Sequence, residues 1–223
     1  KLYEVLTHKK TVSFPLDFIK ESSIIKAVLS VGKYKNSWNI FVYKEEDTEF
    51  TVPVFTDLEK DLISLIENGG KAVFAMNKDN LQNPIEGLFK PVFWSPAYFP
   101  STRACGLICD KSHHIFDSFP TDEYADFQWK HPIDNSVGVD VSMLDKDFPY
   151  IIEPVPNFFD NTRRSPLFEA RVGKCDILFC GFNLDIKNMT VKALKNSIAK
   201  YVNSDLFKPT ARLSLEDVKG LIK

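Results

Sequence analysis

Thiols, imidazoles and carboxylates are the groups in this sequence with chemistry to offer, and their spacing decides what they can do. The cysteines are Cys105, Cys109, Cys175 and Cys180. A cysteine nucleophile in an α/β layered fold sits on a strained Gly-x-Cys-x-Gly elbow that exposes the thiol. Cys105 lies in Arg103-Ala104-Cys105-Gly106-Leu107, which lacks the first glycine. Cys109 and Cys180 lie in apolar runs, where a thiol is an inert core residue. His113, His114, His131 and Asp110 are the raw material for a metal site. Adjacent histidines point to opposite faces of a strand and diverge by about 100° on a helix. Neither arrangement makes a clamp, and no cysteine pair has zinc-ribbon spacing. The histidines therefore read as surface or helix-end residues.

Glu153, Asp160 and Glu169 lie near strand ends and offer the paired carboxylates of glycoside hydrolysis. With 30 acidic residues in the chain, some such pair always exists, so a solvated or ion-paired role is expected for them. No G-x-S-x-G, phosphate-loop or dinucleotide fingerprint is present. The sequence thus assigns no catalytic residue, no metal ligand and no cofactor. Binding is a different matter. Trp94 and Tyr98 sit in a proline-rich loop, and Trp129 follows the polar stretch 121–128. Exposed rings there would stack on a sugar or meet a partner; buried, they would cap the core. Asn161-Thr162-Arg163-Arg164 holds a guanidinium, Arg163, that could present a fork of donors to an acid or a partner chain. An exposed arginine pair is the plainer reading of that stretch.

These side chains hang on two kinds of element. Residues 1–47 are β-rich. Thr11–Phe14, Ile24–Val31 and Trp38–Tyr43 read as strands with no helix between them, as at the end of a β-sandwich. The charged run Lys44–Asp47 reads as an exposed joint. From residue 48 to 223 the pattern becomes α/β. Val52–Phe55 is a short strand, and Thr56-Asp57-Leu58-Glu59 is a capping box for a helix carrying Leu58, Leu62, Leu65 and Ile66. Gly69 and Gly70 end it, and Lys71–Met76 follows as an apolar strand. Strand, helix, strand predicts a parallel pair with a right-handed crossover. Loop 77–103, rich in proline and aromatics, is unusually long. Ala104–Cys109 is a short apolar run, and short helices are expected near 112–117 and 121–127. Tyr150–Val155 reads as a strand, and Leu167–Val172, Gly173-Lys174 and Cys175–Cys180 read as a hairpin. Asn188 or Thr190 caps a helix to about 202, and Ser214 caps a last one.

The totals narrow the function further. A chain of 223 residues buries about 70% of its unfolded surface and folds without staples. Its 28 basic and 30 acidic residues form no long run of one sign, which argues against a nucleic-acid partner. No apolar run reaches membrane-spanning length, so no membrane insertion is expected. The first residues, Lys1-Leu2-Tyr3-Glu4, carry no Met and read as a processed chain or a piece of a longer one.

Several runs resemble a known family. Asn36–Tyr43 is similar to the strand leading into the C-terminal region of bacterial family 2 glycoside hydrolases, the β-galactosidase-like enzymes. Glu67–Val73 resembles the helix-to-strand step that follows in them. Phe119-Pro120-Thr121 followed by Phe127-Gln128-Trp129 looks like their most distinctive motif, and Leu167–Lys174 resembles their late hairpin. The match runs from about residue 36 to the C-terminus. It implies a flavodoxin-like domain, similar to class I glutamine amidotransferases, placed after the catalytic barrel. The family's catalytic glutamates belong to that barrel, so none is carried over here. The implied role is non-catalytic: packing, assembly or cleft rim, with the other domains of the parent enzyme as partners and carbohydrate as a further one. A periplasmic or secreted location follows from the resemblance alone. A carbohydrate-binding module built on Trp94 and Trp129, and a small independent hydrolase, remain the alternatives.

Overall fold

The strands follow the alternation of apolar side chains and the turns follow glycine. The computed structural model describes residues 13, 15–89, 106–155 and 162–223. β1 (Ser23–Val31) and β2 (Tyr34–Val42) pair antiparallel across a turn in which Gly32 takes φ +58°. Their register puts Ile25, Ala27, Leu29 and Val31 opposite Ile40, Trp38, Asn36 and Tyr34 on one face. The pair is a sheet of its own. The second sheet that a sandwich would need is not among the described residues. The strand expected over Thr11–Phe14 falls, apart from Ser13, outside them.

β3 (Val54–Phe55), α1 (Lys60–Asn68) and β4 (Gly70–Ala75) build the expected crossover, and β3 and β4 are parallel neighbours. The expected capping box is not formed. The helix starts at Lys60 after Glu59, with no side-chain cap, and Thr56 stays with the strand end. The reason is Asn80. Its buried Nδ2 donates to the Thr56 and Ala75 carbonyls, each at 2.8 Å, and so ties the carboxyl ends of β3 and β4 together. At the far end Gly69 takes φ +106°, a value closed to most side chains, and its N–H bonds the Leu65 carbonyl.

β5 (Ile85–Glu86) and β6 (Gly106–Cys109) follow. A 3₁₀ turn at His114–Phe116 stands where a helix is expected. The helix expected near 121–127 is a 3₁₀ turn at Phe127–Trp129 that runs into α2 (Lys130–Asp134). Asp126 begins the turn because its Oδ1 accepts the Phe127 N–H at 2.6 Å. Then come β7 (Val137–Asp140), β8 (Ile152–Val155), β9 (Arg164–Ser165), β10 (Leu167–Val172) and β11 (Cys175–Cys180). Gly173, at φ +58°, takes the first central position of the β10–β11 turn, where a II′-type hairpin needs it. α3 (Met189–Asn203) is capped by Asn188. Then β12 (Arg212–Leu213) leads into α4 (Leu215–Leu221), which has a full capping box between Ser214 and Asp217. Hydrogen bonds from Ser214 hold the Asp217 carboxyl below its ordinary range.

The fold is mixed α/β. A seven-stranded sheet runs β3-β4-β11-β10-β8-β6, with β12 also beside β10; β5, β7 and β9 form a second, antiparallel sheet. β3, β4 and β11 are mutually parallel, whereas β10, β8 and β6 alternate in direction. The three strands expected near 52–55, 71–76 and 175–181 are therefore adjacent. Ala72, Phe74, Ile177 and Phe179 face a core with Leu62 and Ile66 of α1. Val73, Leu178 and Cys180 face a second core with Leu194, Ile198 and Val202 of α3. Strand side chains alternate, so α1 and α3 cover opposite faces. Among the described residues no helix is long and apolar enough to cross a membrane.

Residues 46–51 are strapped to α3. Asn196 accepts the Thr48 N–H and donates to the Glu46 carbonyl; Asn203, two turns on, does the same for Thr51 and Glu49. Of the charged run Lys44–Asp47, Lys44, Glu45 and Asp47 are exposed, and the strap that continues from it delivers Phe50 and Val52 to the second core.

Within the hairpin, Arg171 and Asp176 are direct cross-strand partners. The guanidinium grips the carboxylate at 2.6 and 3.0 Å, and Asp176 is buried. Asp176→Ala leaves Arg171 without its acceptor and should cost about 1–3 kcal/mol of stability. An unchanged urea midpoint would contradict this account of the pair.

Candidate functional site

Open α/β sheets bind ligands beyond the carboxyl ends of their parallel strands, where successive connections leave on opposite faces. β4 and β11 meet that condition. The chain after β4 carries Leu81 into the α1-side core, and the chain after β11 enters α3 on the other side. A crevice of about 850 Å³ opens there, lined by Val54, Ala75 to Lys78, Cys180 to Asp185, Glu86 to Leu88, Asp134 to Val137, Phe50, Val73 and Lys195.

Backbone contacts hold its walls. Val137 N–H donates to the Gly181 carbonyl at 2.8 Å, Asn183 N–H to Asn135 at 2.9 Å, and Gly87 N–H to Ser136 at 2.9 Å. Two glycines make this approach possible. A Cβ on Gly181 would strike the Val137 carbonyl oxygen, and one on Gly87 would strike Ile133 and Ser136.

The charges at the rim are paired. Glu86 holds Lys78, Asp185 holds Lys195 at 3.2 Å, and Asp134 holds Lys130 at 2.6 Å. Cys180 forms part of the floor and is 2% exposed, and burial pushes its thiol up to about 12. Burial likewise raises Cys109 to about 12 and Cys175 to about 11. All three are free cysteines; Cys105 lies outside the described residues. At neutral pH these thiols are protonated, the form that is a poor nucleophile.

The residues singled out for binding fare differently. Trp94 and Tyr98, with the rest of loop 91–100, lie outside the described residues. Trp129 is not a surface ring: it is fully buried, with Phe116, Phe119 and Phe182 around it at centroid distances of 6.0, 5.1 and 6.2 Å. Its Nε1 donates to Thr121 Oγ1 at 2.9 Å. The two halves of the Phe119-Pro120-Thr121 and Phe127-Gln128-Trp129 motif therefore meet as a core latch. Arg163 does not present an open fork either. It bonds Glu153 at 2.9 and 3.3 Å and the Lys146 and Phe148 carbonyls at 3.1 Å, and so pins loop 142–148 to β8. The hydrogen bond it donates to Glu153 raises its pKa.

The other candidates are dispersed. Glu169 accepts Tyr201 Oη at 2.8 Å and lies 3.6 Å from His113 Nε2. Burial and then the Glu169 charge push the Tyr201 phenol up. His113 also caps the 3₁₀ turn, accepting the Ile115 N–H, and His114 pairs with Asp117. Asp160 is outside the described residues. Among the described residues no three His, Cys, Asp or Glu side chains are grouped to hold a metal ion. Sequence reasoning missed the crevice itself. The signal lay in Asn77, Asn135 and Asn183, each at or just past the end of a structured element, and in Gly87 and Gly181.

Two outcomes follow from this packing. Trp129→Ala empties a sealed aromatic cage and should lower stability by roughly 3–5 kcal/mol, read from denaturant unfolding. A smaller loss would place the ring at a surface. The raised thiols and phenols set the alkaline limit. A raised pKa on an acid means the folded state holds the proton more tightly, so its contribution is complete below the ordinary thiol value of 9.0 and shrinks above it. The urea midpoint should therefore fall between about pH 8 and about pH 10, and a flat profile would contradict the burial of these groups.

No curated protein matches this chain. A family model does, over residues 53–223, which takes in the sheet from β3 onward and most of both cores and of the crevice, and leaves out the β1–β2 hairpin and Phe50. The chain belongs to that family, DUF8487, a domain of unknown function.

Proposed function

We propose that this chain is a non-catalytic accessory domain of a β-galactosidase-like glycoside hydrolase of family 2, serving packing, assembly or the rim of the parent's substrate cleft. The observation that carries the reading is the state of the crevice's carboxylates. Glu86, Asp134 and Asp185 each hold a lysine, an arrangement that fixes walls. A glycosidase instead needs one carboxylic acid and one free carboxylate across a scissile bond. Buried thiols with raised pKa values point the same way. The finer fold reading, flavodoxin-like and close to class I glutamine amidotransferases, is supported by the parallel β3-β4-β11 core with α1 and α3 on opposite faces. The sequence resemblance supplies the parent, its other domains as partners and its periplasmic or secreted setting.

The chain alone should hydrolyse nitrophenyl β-galactoside and its gluco- and glucurono- analogues no faster than buffer does. Turnover that disappears in Glu86→Gln or Glu169→Gln, with the fold intact by circular dichroism, would overturn the reading in favour of an independent hydrolase. The genomic reading frame around the coding segment is the second check: a barrel domain upstream of Lys1 is expected.

A further inference from the structure

The β1–β2 hairpin carries an apolar face without a cover. On the face that begins with the Ser23–Val42 pair, eight of the ten residues are apolar and none is charged. There Leu29, Val31, Tyr34, Trp38 and Ile40 are between 36% and 72% exposed. The opposite face is the one turned to the domain. Asn39 donates to Asp122 at 3.0 Å, and Tyr43, in the same alternation just past β2, stacks on Phe119 at 5.1 Å. The apolar face therefore points away from the rest of the chain. A contiguous exposed patch of this kind marks an interaction surface, and a two-stranded sheet is marginal in water without a third strand or a cover.

The edges and the rim say what kind of cover fits. Among the described residues β1 and β2 pair only with each other, so both outer edges are open. A helix laid on the face would leave those backbone groups unpaired, whereas a sheet can cover the face and extend an edge. From Ser22 to Tyr43 the only charges are Lys26, Lys33 and Lys35, and among the described residues none has a carboxylate partner. A second copy fits poorly. It brings the same three lysines, and Glu21 at its hairpin foot is already held by Lys44 at 3.0 Å. Two strands of nine residues also offer a footprint on the order of 300 Å², against the ~800 Å² that each partner of a stable dimer hides.

The hairpin's foot indicates where the cover is attached. Lys44 N–H donates to Ser22 Oγ at 3.0 Å, so the chain enters β1 and leaves β2 at one end. Polypeptide ahead of Ser22 is thus tethered beside the open face, at an effective concentration on the order of millimolar. Residues 1–12 are too few to be the cover, since two strands of this length and a turn take about 20 residues. The family's own unit begins at residue 53, so the hairpin is not part of it.

We propose that the outward face of β1–β2 docks an antiparallel β-sheet carried on the same polypeptide ahead of Lys1, the two completing a β-sandwich. That sheet presents an uncharged apolar face to Leu29, Tyr34 and Trp38, and carboxylates at its rim to Lys33 and Lys35. The inference goes beyond the accessory-domain reading and shares with it only that the chain is part of a longer polypeptide. The test compares this chain with a version extended by the about 150 residues encoded in frame ahead of Lys1. Amide hydrogen exchange is read in β1 and β2, with β11 as the internal reference for folding. The extension should slow exchange in β1 and β2 by roughly a hundredfold or more. Leu29→Lys combined with Trp38→Lys should abolish that protection and leave β11 unchanged, because both side chains are exposed in this chain. The upstream segment supplied as a separate polypeptide should bind this chain and fail to bind the double variant. Equal exchange in the two versions, or the absence of coding sequence ahead of Lys1, would overturn the inference. So would sedimentation of this chain alone as a dimer that the double variant dissociates, which would make a second copy the cover. If the segment protects the hairpin while no glycosidase barrel is encoded further upstream, the inference stands and the accessory-domain reading falls.

Discussion

Every residue of β11, from Cys175 to Cys180, is buried, and that single strand sets the terms for the rest. A strand can be dry on both faces only if its backbone is paired on both edges and each face has a cover. β4 supplies one edge in parallel register and β10 the other in antiparallel register. α1 covers one face and α3 the opposite one. This is why the sheet is mixed. A hairpin partner can be reached through the two residues Gly173 and Lys174, whereas the parallel partner lies more than a hundred positions away in sequence. The intervening chain puts β6 and β8 at the far side of the same sheet before it reaches β10 and β11. It also contains β5, β7 and β9, and Val137 of β7 meets Gly181 at the crevice wall.

Asparagine is the recurring means by which loops are fixed to this frame. Asn80 closes the ends of β3 and β4, Asn188 caps α3, and Asn196 and Asn203 bind the strap at 46–51. An amide suits the work because it offers an acceptor and a donor to a backbone that presents both. In each of these staples the amide's oxygen and nitrogen are spent on the chain, except at Asn188, where the oxygen alone serves. Asn77, Asn135 and Asn183 are the contrast, since each spends one end on the backbone and keeps the other. Asn188 shares that one-ended use, as do Asn36 and Asn68 at the surface.

The sequence was most legible where local chemistry and burial agree. The β3-α1-β4 crossover, the β10–β11 hairpin with its Gly173 turn, and the caps at Asn188 and Ser214 could all be read from pattern and turn residues. Thr56 misled because a good capping sequence was outbid by a distant amide: Asn80 needs the Thr56 carbonyl, and local patterning holds no trace of that partner. Trp129 stayed open between two readings because an aromatic after a polar stretch looks the same whether it faces solvent or a cage. Its partners Phe116, Phe119, Thr121 and Phe182 come from two separate stretches of chain, so only the fold brings them together. Arg163 is similar. Its charge was visible, whereas its acceptors on 146, 148 and 153 depend on how that loop returns.

The crevice, finally, is a consequence of contact limits more than of missing atoms. Gly181 lies against the Val137 carbonyl and Gly87 against Ile133 and Ser136 with no room for a Cβ at either place. The three wall segments therefore stand as near to one another as backbone permits, and hydrogen bonds hold them there. Space that survives such close approach cannot be removed by a small shift of the walls. Closing it would require larger side chains projecting from the rim, and the rim carries Asn77, Asn135, Ser136 and Asn183 instead. Short amides and a hydroxyl leave the volume open while keeping its edge polar above an apolar floor.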